Sequence, residues 1–205
     1  IPTMLGLENK ALFGTKEGLV PLDLKGLKVI SAGFFLKSQD DAVIWRGPMK
    51  ANVIRQFLQD VMWGELDLLV IDSPPGTGDE PLSVCQLIKN LDGAVIVTTP
   101  QKVAAVDVRK SITFCRQLKV PVLGIIENMS GFVCPKCKEI SPIFGSGGGQ
   151  RIAVDMGVPF LGAIPIDPRV AAAGDMGQVP IELDGSAAAA QSMRTILEVV
   201  SKHSI

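Results

Sequence analysis

The sequence predicts an α/β protein on a mainly parallel sheet, and three observations predict it. Short apolar runs recur at 27–32, 66–71, 94–98, 122–126 and 160–164, each bounded by turn residues. Helical periodicities lie between them at 48–63, 80–90, 102–118 and 148–156, with a last helix over 186–202 capped by Ser186. The runs are nearly continuous in apolar residues, which is how strands covered on both faces read. Pro48 suits the first turn of its helix, and Asp79 is a natural cap for the next. Residues 1–24 contain several Gly and Pro with weak periodicity and read as an irregular lead-in. A length of 205 residues with 47% hydrophobic content suits a single domain over 1–205.

Twenty basic and 21 acidic residues leave a formal charge of −1 at pH 7, with both signs mixed along the chain. That balance argues against nucleic acid as a partner. No apolar stretch reaches the roughly 18 residues that span a bilayer, and 1–25 lacks the pattern of a signal peptide. The expectation is a soluble, intracellular protein without membrane contact. The chain begins Ile1-Pro2-Thr3 with no initiator methionine, so a preceding segment is expected.

In an open parallel sheet, ligands bind beyond the carboxyl ends of the strands, where helix N-termini and loose amides converge. The unusual residues fall there. Asp72-Ser73-Pro74-Pro75-Gly76-Thr77-Gly78-Asp79 follows the run 66–71, and Thr99-Pro100-Gln101 follows 94–98. Glu127-Asn128-Met129 follows 122–126, and Pro165-Ile166-Asp167 follows 160–164. A carboxylate closing an apolar run, as Asp72 does, would be costly to bury without a partner such as a cation or a metal's water shell. Gly76 and Gly78 would let backbone amides approach a phosphate. The plainer reading of the same segment is a Pro-Gly turn with Asp79 as a helix cap.

Cys134-Pro135-Lys136-Cys137 lies in a polar segment, 131–142, with the spacing of two ligands of a tetrahedral thiolate site. A redox pair normally opens a helix, which Pro142 and the short polar run disfavour. A closed site needs about four ligands. Cys85 and Cys115 sit in apolar helical patterns as core residues, and His203 is near the chain end. Two donors per chain point to a two-fold axis with one pair from each copy. Thiolate softness admits Zn²⁺ or an Fe-S cluster.

Phe144-Gly145-Ser146-Gly147-Gly148-Gly149-Gln150 lacks the Lys-Ser/Thr ending of a Walker A loop and reads as a flexible lead into the helix 148–156. Arg46, just before Pro48, is placed to reach a phosphate or a partner subunit, or simply to be solvated. Asn128 directly follows a strand, where its amide can read a base edge, although Asx residues there are also common turn formers.

Together, Val43-Ile44-Trp45-Arg46-Gly47-Pro48-Met49, the 72–79 loop, Glu127-Asn128-Met129-Ser130 with Cys134-x-x-Cys137, and Gly162-Ala163-Ile164-Pro165-Ile166-Asp167 resemble the Mrp-type branch of the MinD-like P-loop ATPases, the iron-sulfur cluster carriers. The resemblance spans roughly residues 1–185. It implies a three-layer, doubly wound P-loop NTPase fold and a homodimer with ATP at its interface. It further implies that Asp72 serves Mg²⁺, that Gly76 approaches the γ-phosphate, and that Asn128, Pro165 and Asp167 border adenine. Cys134 and Cys137 would hold a bridging [4Fe-4S] cluster destined for apo iron-sulfur proteins, in the cytoplasm or the mitochondrial matrix.

One departure matters. That family opens with a strand and a Walker A loop carrying two lysines, and Ile1-Pro2-Thr3-Met4-Leu5-Gly6 matches only the tail of its second motif. The fold is therefore expected to be N-terminally incomplete here, with ATP hydrolysis assigned to the intact protein rather than to these residues alone. Two other readings compete: a zinc-bridged, non-enzymatic dimeric scaffold, and a MinD-like positioning ATPase. The Ala-rich segment 186–205 lacks the large apolar residues of the membrane tail that the latter carries.

Overall fold

In the computed structural model, which describes residues 1–8, 10–36, 47–134, 136–137 and 139–201, the chain forms two units, Ile1–Ile88 and Lys89–Ile205. In the first, two antiparallel hairpins take the place of an irregular lead-in. β1 (Phe13–Gly14) pairs with β2 (Leu19–Val20), and β3 (Leu22–Leu24) pairs with β4 (Leu27–Val29). Lys25 and Gly26 turn the second hairpin with φ of 54° and 91°, the left-handed pair that two-residue hairpin turns require. The run at 27–32 therefore supplies a short antiparallel strand rather than a parallel one.

α1 (Gly47–Gln59) packs on α2 (Asp79–Leu87), joined by the Lys50–Glu80 ion pair at 2.5 Å. Lys50's hydrogen bond holds the Glu80 carboxyl below its ordinary range. Phe35 stacks on Phe57 with ring centroids 5.8 Å apart. Gly78, not Asp79, stands at the N-cap of α2, and Asp79 is the helix's first residue.

Residues 66–71 do not form a strand. A strand persists only where a neighbour completes its ladder, and this run has no ladder to any described residue. Leu68 is 56% and Val70 78% exposed. Apolar composition gives the run strand character without giving it a partner.

In the second unit the expected α/β construction holds. The strands are β5 (Ala94–Thr98), β6 (Val122–Val133), β7 (Ile140–Ser141) and β8 (Phe160–Ile166). β5, β6 and β8 run parallel in that spatial order, and β7 folds back antiparallel on the far end of β6. α3 (Lys102–Gln117) links β5 to β6, and α4 (Gly148–Met156) precedes β8. Val108 and Ile112 of α3, Ile125 of β6, and Ile152 and Ala153 of α4 make one core cluster. α5 (Pro168–Asp175) follows β8, and α6 (Ala188–Ser201) packs on it. Gly162 permits that contact, since a Cβ there would lie 2.8 Å from Ile196. α6 begins two residues later than expected, because the Ser186 hydroxyl donates to the Asp184 carboxylate instead of capping the helix. Among the described residues no helix is long and apolar enough to cross a membrane.

Candidate functional site

β6 carries the cysteine pair, and its irregularity explains how. Between the pairings Asn128↔Ile164 and Phe132↔Ile166, β6 uses Met129, Ser130 and Gly131 where β8 uses only Pro165. Met129 and Gly131 absorb the bulge with φ of 57° and 76°. Pro165 has no N–H to offer a ladder, so it fits this gap. Beyond the bulge, Phe132 and Val133 pair with Ser141 and Ile140 of β7, and the Cys134 N–H donates to Glu139 O at 2.9 Å. Cys134 and Cys137 thus lie in the turn of the β6–β7 hairpin. Cys134 is half-buried, Cys137 is exposed, and neither is in a disulfide.

Cys115 is buried on α3, and burial pushes the Cys85 thiol above its ordinary range, which disfavours the thiolate a metal needs. Among the described residues no group of three or more His, Cys, Asp or Glu side chains could hold a metal. The hairpin therefore offers two sulfur donors.

At the root of the hairpin, Phe132 and Val133 share a cavity of about 440 Å³ with Ile166, Asp167, Arg169 and Ser186. Asp167 caps α5 by accepting from the Arg169 N–H at 3.0 Å. Its carboxylate also accepts from Arg169 Nε at 3.0 Å and Nη2 at 2.9 Å, and this hydrogen bonding holds the carboxyl below its ordinary range. Arg169 Nη1 donates in turn to Ser186 Oγ at 2.9 Å. Asn128 Oδ1 accepts from the Met129 N–H at 2.9 Å. Of the three residues expected to border adenine, Asp167 lines this cavity, whereas Asn128 and Pro165 do not.

Asp72 and Gly76 belong to the first unit, on an exposed loop ahead of α2. Asp72 does not close a buried strand, so the burial argument for a cation beside it does not apply. Gly76 has φ of 94°, and a Cβ there would meet nothing within 4 Å. Arg46 and His203 lie outside the described residues.

Sequence reasoning missed Glu127. Its side chain is 1% exposed and accepts from the N–H groups of Gly147 at 2.9 Å and Gly149 at 2.6 Å. The glycine-rich segment is therefore an occupied amide cradle rather than a flexible lead. Gly148 is equally constrained, since a Cβ there would lie 2.2 Å from Pro100 O. The available signal was an acid at the end of an apolar strand followed by a glycine-rich run with no lysine.

Parallel strands joined by helices, with distinctive residues at their carboxyl ends, make this an α/β protein of the doubly wound kind, and its solved structural neighbours give it the MinD-like fold of the P-loop NTPases. The MinD cell-division ATPase of Pyrococcus furiosus shares that fold at a TM-score of 0.55 and 22% identity, over 77% of this chain and 59% of that one. Within the class, the chain belongs to the ParA family described as NUBPL iron-transfer P-loop NTPase, whose model matches residues 1–201. The iron-sulfur cluster carrier protein of Methanocaldococcus jannaschii is 48% identical over 203 residues, covering 98% of this chain and 70% of that protein. The cytosolic Fe-S cluster assembly factor Nubp2 homolog of Anopheles gambiae is 51% identical over 187 residues, covering 89% and 72%. A nucleotide-binding protein of Archaeoglobus fulgidus, in complex with ADP and with Co found by PIXE, matches at a TM-score of 0.75 and 43% identity over 90% of this chain and 72% of that one.

Proposed function

We propose that the protein is an ATP-binding iron-sulfur cluster carrier that assembles a [4Fe-4S] cluster between two copies of the Cys134 and Cys137 hairpin and transfers it to apo iron-sulfur proteins. The observation that carries the reading is the hairpin itself, which presents two sulfur donors on a turn in a chain of the iron-transfer family. Two thiolates leave a cluster half-ligated, and a second copy supplies the other half. Exposed Met129, Ile140, Ile143 and Phe144 flank the turn in sequence, giving a partner apolar surface to cover. A site carried on a turn and shared between chains releases its cargo more readily than an enclosed one, which suits transfer.

ATP binding follows from the family, and hydrolysis is part of the same proposal. Asp72 is the residue that would hold Mg²⁺ through water, and Gly76 has the open backbone that lets an amide approach phosphate. Mg²⁺ would supply charge neutralisation on the phosphates. Asn128, Pro165 and Asp167 are proposed to border the base, with Arg46 on a phosphate, and both units to act as one nucleotide-binding domain. The proposed compartment is the cytoplasm, or the mitochondrial matrix in a eukaryote. Anaerobic reconstitution with iron and sulfide tests the reading. Loading should vanish in Cys134→Ser and in Cys137→Ser, and undiminished loading in either variant rejects the assignment.

A further inference from the structure

The Glu127 carboxylate accepts from three donors on two segments. Ser130 Oγ at 2.5 Å and the Gly147 N–H at 2.9 Å meet Oε1, and the Gly149 N–H at 2.6 Å meets Oε2. Ser130 stands in the bulge where β6 departs from the register of β8, while Gly147 and Gly149 lie at the start of α4. One buried carboxylate therefore ties the bulge in β6 to the start of α4, closing the excursion of the chain between Glu127 and Gly147, 20 residues later. The cysteine turn is the tip of the excursion between those two points. In a site excluded from water these charge-assisted bonds are strong, and a helix N-terminus favours the negative charge.

We infer that Glu127 is a positioning residue for the iron-sulfur site: it fixes the base of the hairpin and so holds Cys134 and Cys137 in the arrangement that receives a metal. The inference rests on the proposed role of the two cysteines as ligands. Closing the excursion at its base removes chain freedom that metal binding would otherwise have to remove. Glu127→Gln keeps the shape but has one accepting oxygen, so its NH₂ must face the N–H of either Gly147 or Gly149, donor against donor.

The test is Co²⁺ titration of the reduced chain, followed by thiolate-to-metal absorption. Glu127→Gln should raise the apparent Kd about 10-fold, in line with removal of groups that orient metal ligands. Hydrogen exchange should quicken at the Cys134 amide while the Ile125 amide stays protected, a pattern that a general loss of stability does not give. An unchanged Kd in folded Glu127→Gln overturns the inference. Should that variant fail to fold, Ser130→Ala removes a single donor and should weaken Co²⁺ binding about 3-fold; equality with the parent overturns it equally. If the parent shows no thiolate–Co²⁺ absorption, or Cys134→Ser leaves it intact, the cysteine assignment itself fails and takes the inference with it.

Discussion

Arg169 grips Asp167 through two nitrogens, Nε at 3.0 Å and Nη2 at 2.9 Å, on the wall of the cavity at the hairpin root. The same carboxylate caps α5. Its hydrogen bonds with Arg169 lower the Asp167 pKa in the folded state, so the stabilisation is fully present above the unfolded value of about 3.9 and fades as pH falls through the lower folded value. Arg169→Ala should therefore lower the urea midpoint at pH 7 and lower it much less near pH 2. A pH-independent difference would show that the pair contributes nothing through charge. Asp167→Ala also removes the cap, which alone costs about 1 kcal/mol.

Ile112 is fully buried in the cluster shared by α3, β6 and α4. Ile112→Ala should cost about 2–5 kcal/mol in chemical denaturation. Val103 lies one residue into the same helix at 77% exposure, and Val103→Ser should stay within about 0.5 kcal/mol.

Gly148→Ala tests whether the glycine-rich segment is packed or loose. The added methyl would meet a backbone oxygen that no rotamer change can move, so a loss of at least about 2 kcal/mol is expected. Gly185→Ala, with open space around it, should be nearly neutral. Equal effects at the two positions would contradict the packed cradle.

Amides of 68–71 should exchange with solvent far faster than those of Ile125 and Glu127, which sit in parallel ladders with β5 and β8. Protection of 68–71 comparable to that of β6 would restore the strand that the sequence suggests.

Much of the second unit was legible because its signals are local. Ala94–Thr98, α3 and Gly148–Met156 lie where apolar runs and helical spacing put them. The β3–β4 hairpin escaped because Lys25 adopts a conformation usually marked by Gly or Asn. The run 66–71 misled because apolarity is written in the sequence and strand pairing is not. The spacing of Cys134 and Cys137 is written in the sequence, whereas their place in the β6–β7 turn, behind a bulge opposite Pro165, depends on strands distant in sequence. Glu127 stayed hidden for the same reason, with Gly147 and Gly149 contributing only once the fold is formed.

Native mass spectrometry of the metal-loaded species, taken with its iron content, reads the shared cysteine site itself. Two chains holding one [4Fe-4S] cluster are expected, with Cys137→Ser remaining unloaded. A monomer that retains tightly bound metal, with no second chain attached, would contradict a shared site.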